Sequence, residues 1–166
     1  MLPALNDISG QQSKPTENVK LKCQELLNYA VTYPNVAVCF YASDIILHIH
    51  SYAAYPVIPK SRSCIAGYFY LDNSNKKLPI LNGSILIECK TLKSFVASAA
   101  KAEIFGVFQN AQTAVPIHFL LISLGHLKPP TPLFTDNFTE HGFVHNYITM
   151  KISKSWDMRV HWLRDK

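Results

Sequence analysis

The chain holds 166 residues, 48% of them hydrophobic and 16% charged, enough to bury one core and too few for two large ones. Ten prolines, six glycines and no block of like charge exclude wholesale disorder. The formal charge of +5, with seven histidines neutral, is a weak basic bias that suits polyanionic partners without demanding them.

The N-terminal stretch from Met1 to Lys20 has neither a basic nor an apolar signal region, so the chain is expected to stay inside the cell, cytoplasmic or nuclear. A helix is predicted over Asn18 to Ala30, started by Pro15, Thr16 and Glu17 and stopped at Tyr33-Pro34-Asn35. It reads as an appendage to the main domain. Three segments rich in β-branched and aromatic residues follow: Asp44 to Tyr52, Cys64 to Leu71 and Gly83 to Cys89. Pro56, Pro59 and the Asp72-Asn73-Ser74-Asn75 turn separate them, which predicts three consecutive antiparallel strands.

Ser94 to Ala111 has the length and alanine content of a helix and is apolar on nearly every side, so it is expected to lie buried. A second helix is predicted within Ala114 to Leu124. After the Pro129-Pro130 break come a short strand, Pro132 to Thr135, a helix from about Asn137, and a basic C-terminal helix. The longest apolar run, Ala114 to Gly125, is broken by Pro116 and His118 and is shorter than the roughly 20 residues of a bilayer span, so no membrane is expected. The whole describes an α/β or mixed α+β domain.

Between Lys93 and Lys128 the ionisable Asp, Glu, Lys and Arg residues are Lys101 and Glu103, both set in the apolar helix. A carboxylate there must find a base or a metal, or else protonate. Asp136 stands where a short strand ends, a place where α/β folds collect ligands, although Asp136 or Asn137 could equally cap the next helix. His48 with His50, and His141 with His145, have spacings compatible with zinc, yet no convergent ligand completes either pair, and a structural role is the expectation. Cys23, Cys39, Cys64 and Cys89 show no metal-like spacing and read as free, buried thiols of a reducing compartment, where the sequons at Asn82 and Asn137 carry no glycan. The C-terminal Lys151, Lys154, Arg159 and Arg164 alternate with Trp156 and Trp162, which fits a nucleic-acid face. Ile152, Trp156, Val160 and Leu163 recur at helical spacing, which fits an amphipathic surface helix equally.

Several segments together resemble one family over almost the whole chain, the ribonuclease H region of copia-type LTR retrotransposon polyproteins. They are Tyr41-Ala42-Ser43-Asp44 through His48-Ile49-His50-Ser51, Ala66-Gly67-Tyr68-Phe69, Ala99-Ala100-Lys101-Ala102-Glu103, Thr135-Asp136-Asn137, Asp157-Met158-Arg159 and Trp162-Leu163-Arg164-Asp165. The resemblance implies a connection segment over 1–36 and a ribonuclease H-like domain over 37–166, with three antiparallel strands, alternating helices, a short fourth strand and no fifth.

It further implies an activity, cleavage of the RNA strand of RNA–DNA hybrids with two Mg²⁺ ions held by four carboxylates. Two hard cations about 4 Å apart need such negative oxygen ligands. The second and third carboxylates correspond to Glu103 and Asp136. Tyr52 stands where the family has the first, an aspartate, and the fourth falls beyond Lys166. Lys101 replaces a usual glutamate. The expectation is a truncated, degenerate domain that is catalytically inactive, binds Mg²⁺ weakly if at all through Glu103 and Asp136, holds nucleic acid weakly, and self-associates through the sheet edge at Pro132 to Thr135. The alternatives are an active Mg²⁺-dependent ribonuclease H with an atypical ligand set and a non-catalytic nucleic-acid-binding module. Rescue of the first position by Asp44 is excluded by the roughly 26 Å of strand, at about 3.3 Å per residue, between it and Tyr52.

Overall fold

The computed structural model describes residues 1–58, 62–73, 81–92, 96, 98–126, 129–136 and 154–165, with 56–58 and 154–157 by backbone only. Two helices come first, α1 (Leu2–Ser9) and α2 (Glu17–Thr32). The second is the expected one. Thr16 is extended and its hydroxyl accepts the Val19 N–H at 3.4 Å, satisfying a donor that the first turn leaves orphaned. The helix α1 is an addition to the single helix read in residues 1–36. Its proline stands in the first turn, where a missing N–H costs nothing. Asn6 of α1 donates to Thr91 at 3.0 Å, and Lys22 of α2 pairs with Asp7 at 2.6 Å.

The strands β1 (Ile46–Ile58), β2 (Arg62–Asp72), β3 (Ser84–Thr91) and β4 (Leu133–Phe134) make one sheet in the order β3-β2-β1-β4. The first three pair antiparallel as expected, and β4 lies parallel to β1 through Ile49↔Leu133 and His50↔Phe134. A parallel neighbour requires a long crossover, which α3 (Ala99–Ser123) supplies. The fold is therefore mixed α/β around a four-stranded mixed sheet.

Three sequence readings need correction. The strand β1 runs past Tyr52 and through Pro56, because its ladder with β2 shifts register between Ala54 and Ile58, where a missing N–H is tolerated. The two helices expected across 94–124 are one. Pro116 sits inside α3 on an exposed stretch with Gln112, so the carbonyl it frees reaches water and the helix continues. Within the stretch expected to be buried, Ala102, Ile104, Gly106, Val107 and Asn110 are buried, and beyond it Phe119, Leu120 and Ile122 are exposed. The fourth strand keeps two of its expected four residues.

The chain enters β1 through Ile45 at φ +59°, an uncommon conformation for a β-branched residue. The flanking Asp44 N–H donates to Asn73 Oδ1 at 2.7 Å, and the Ile45 N–H donates to Ser43 Oγ at 3.3 Å. Nearby, the buried Asn82 amide donates to the carbonyls of Tyr41 and Leu71 and accepts the N–H groups of Tyr41 and Gly83. That sequon asparagine is structural in the folded chain.

Leu47, Ile49 and Phe69 of the sheet and Ala114 and Leu121 of α3 form the core cluster. The C-terminal helix α4 (Lys154–Arg164) packs on the outer side of α3, Trp162 meeting Phe108 edge-on at 5.2 Å between centroids. Val160 of the expected apolar stripe is buried there, while Trp162, off that stripe, makes the aromatic contact. Among the described residues no helix is long and apolar enough to cross a membrane. The helix expected from about Asn137, and with it His141 and His145, lies outside the described residues.

Candidate functional site

The site is built where β1, β4 and α3 converge. On α3 the residues Glu103, Gly106, Val107 and Asn110 follow one another at helical spacing, forming the stripe that meets the sheet. Gly106 is the point of closest approach. A Cβ built on it would stand 3.5 Å from the Tyr52 carbonyl oxygen and 3.6 Å from the Ala53 Cβ. Glu103, half-buried, lies one turn before that contact. On the other side, the parallel register pairs His50 with Phe134. The pairing ends there, and Asp136 follows two residues later in a bend outside the strand. Asp136 itself is exposed.

The backbone of α3 thus meets β1 at Tyr52 and β4 meets it at His50, but the Tyr52 side chain turns away from α3. Strand side chains alternate between faces. Ser51 points at α3, where Asn110 donates to its hydroxyl at 2.8 Å and to the Ala66 carbonyl at 3.0 Å. Tyr52 therefore points to the opposite face, 48% exposed, its ring nearly parallel to that of His50 with centroids 6.3 Å apart.

That opposite face is a continuous aromatic cluster. His50 stacks on Phe134 at 4.9 Å and on Tyr70 at 5.6 Å, and its Nε2 hydrogen-bonds the Tyr70 hydroxyl at 3.1 Å. His48 also stacks on Phe134 and lies against Tyr70, with neither ring nitrogen hydrogen-bonded. Burial lowers the pKa of both histidines, with Asp72 partly opposing this at His48. Burial, reinforced by Asp72, Tyr68 and Tyr52, pushes the Tyr70 phenol up to about 12. Burial in this aromatic packing unit thus favours the neutral form of both histidines.

The residues present do not fit a two-Mg²⁺ centre. Hard divalent cations take several carboxylate and carbonyl oxygens around each ion. Here the first of the three positions is a phenol that faces away from α3, Glu103 is half-buried on α3, and Asp136 is exposed after β4. Among the described residues no group of three or more His, Cys, Asp and Glu side chains is arranged to hold a metal ion.

Of the basic C-terminal residues, Lys151 lies outside the described residues and Lys154 is described by backbone only. Arg164 is half-buried on α4. Arg159 places its guanidinium 4.2 Å over the Phe105 ring and 5.9 Å from Phe108, so it caps the α3–α4 packing, and burial lowers its pKa. Lys101 is half-buried in the first turn of α3. Sequence reasoning missed the Asn110–Ser51–Ala66 network. Its signal was an asparagine on the sheet-facing stripe of an otherwise apolar helix. No family model, curated protein or solved structure matches the chain.

Proposed function

We propose that the chain is a degenerate ribonuclease H-like domain of copia-type retrotransposon descent that does not cleave RNA–DNA hybrids. The observation that supports this reading is the sheet order β3-β2-β1-β4, with a parallel β4 reached through α3. It brings α3 and β4 to the middle of β1, where Tyr52 stands, with Glu103 one turn before the α3 contact and Asp136 two residues past β4. These are the positions that the sequence resemblance ties to the metal ligands of the family. Tyr52 removes the charge that would bridge two cations and directs its ring elsewhere.

Incubating labelled RNA–DNA hybrid with the protein in Mg²⁺ or Mn²⁺, beside Glu103→Gln and Tyr52→Asp, tests the reading. The expected result is no cleavage by the wild type and no full recovery in Tyr52→Asp. Mg²⁺-dependent cleavage by the wild type that Glu103→Gln abolishes overturns it.

Residual affinity for nucleic acid is proposed to be weak, salt-sensitive and indifferent to sequence, because phosphate contacts act through counterion release. Lys151, Lys154 and Arg164 carry it in this reading. Arg159, committed to Phe105, contributes less. Filter binding at rising salt checks this, and affinity that persists at high salt contradicts it.

A further inference from the structure

We propose that Cys64 and Cys89 form a reversible intramolecular disulfide that staples β2 to β3, a modification site independent of the nuclease reading. The register aligns Cys64 with Thr91 and Ala66 with Cys89, so the two cysteines are diagonal neighbours on one face of an antiparallel pair. Their Sγ atoms are 3.5 Å apart, although the residues are separated by 25 positions in sequence. A disulfide needs about 2.05 Å, so the remaining approach is about 1.5 Å. Both residues are half-buried, and Cys23 and Cys39 lie on other elements.

The oxidant is a low-molecular-weight disulfide such as oxidised glutathione. The Cys89 thiolate attacks one sulfur of that disulfide, forming a mixed disulfide and expelling one glutathione thiolate. The Cys64 thiolate then attacks the Cys89 sulfur, forming the internal bond and expelling the second. Two glutathione molecules take up the two protons, and the two electrons leave with them. In the dithiol state burial, and then the hydrogen bond and charge of Cys89, push the Cys64 thiol up to about 12. The two contributions of Cys89 end once its sulfur enters the mixed disulfide, while burial, the larger cause, remains; the 3.5 Å approach of the two sulfurs is what makes Cys64 the resolving thiol.

The pair also sits beside the candidate site. Cys89 lies opposite Ala66, and Ala66 lies opposite Tyr52, so one row across three strands carries both. The cross-link would fix the spacing of that row.

The test uses the full chain and a Cys23→Ser/Cys39→Ser double variant, which leaves the pair intact, each incubated with oxidised glutathione under native conditions. The expected result is loss of both titratable thiols in the double variant, and of the same two together with the exposed Cys39, modified by glutathione, in the wild type. Non-reducing peptide maps should join Cys64 to Cys89, with no retained glutathione on either and reversal by dithiothreitol. The oxidised double variant should unfold at higher urea than its reduced form. Glutathione persisting on Cys64 or Cys89, a link through Cys23 or Cys39, or two unreacted thiols in the double variant while Cys39 of the wild type is modified would each overturn the proposal.

Discussion

The two faces of the sheet obey different chemistry although the same strands build them. On the α3 side, Leu47, Ile49 and Phe69 pack against Ala114 and Leu121, and Asn110 intrudes as a buried polar group that donates to Ser51 and to the Ala66 carbonyl. On the other side, Tyr70 and His48 are buried among rings, while Tyr52, Phe134, Ile85 and Ile87 stand exposed at the margins. The first face is held by area removed from water and by the two hydrogen bonds that the Asn110 amide nitrogen donates, its oxygen being buried without a partner, and the second by ring packing with titratable groups inside it. Losses on the first face should therefore be large and pH-independent, whereas the second should respond to acid.

The largest effect should come from Phe69→Ala. That ring is fully buried in the core cluster, and its removal should cost about 3–5 kcal/mol, read as a lower urea midpoint with little change in slope. Asn110→Ala follows, at about 1–3 kcal/mol, because it deletes two hydrogen bonds and leaves the buried Ser51 hydroxyl without its partner. Gly67→Ala should be of similar size, about 1–3 kcal/mol, since the added methyl would meet the Asn110 side chain and stand 2.8 Å from the Phe69 ring. If Gly67→Ala is silent, the contact between sheet and helix is looser than described.

The acid response is the sharper probe of the aromatic face. Burial lowers the folded-state pKa of His48 and His50 below the ordinary 6.5. Below about pH 6.5 the unfolded chain binds protons that the folded chain refuses, so stability is complete above that value. It should fall as the pH drops toward the lowered folded values. Urea midpoints measured from pH 8 to 5 should show this decline, and His48→Phe should flatten it while Phe69→Ala should keep it. The smallest effect should be that of Ile87→Ala. At 44% exposure on the margin of the second face it should stay within about 0.5 kcal/mol of wild type.

Much of this arrangement was legible locally. Thr16 announced α2, enrichment in β-branched and aromatic residues announced three strands, and the turn signal from Asp72-Asn73 separated two of them. The extent of α3 was not legible. A proline mid-helix normally ends it, and only the exposure of Pro116 and Gln112 lets the helix run on. The packing of Arg159 was not legible for a related reason, because its place over Phe105 depends on how α4 meets α3. Trp162 was likewise placed by that meeting rather than by the period of its own helix.

What the chain determined by itself was the set of elements and the residues available to a site, because helix caps, strand alternation and turn chemistry act over a few neighbouring positions. Tertiary structure decided which face each residue serves. A strand alternates equally toward both sides, so nothing local tells Ser51 from Tyr52. The packing of α3 through Gly106 assigns one to a buried hydrogen bond and the other to an exposed aromatic stack. The same packing leaves Glu103 on the helix side and turns the Tyr52 ring to the other, and the diagonal register of β2 and β3 brings together two thiols that the sequence holds 25 positions apart.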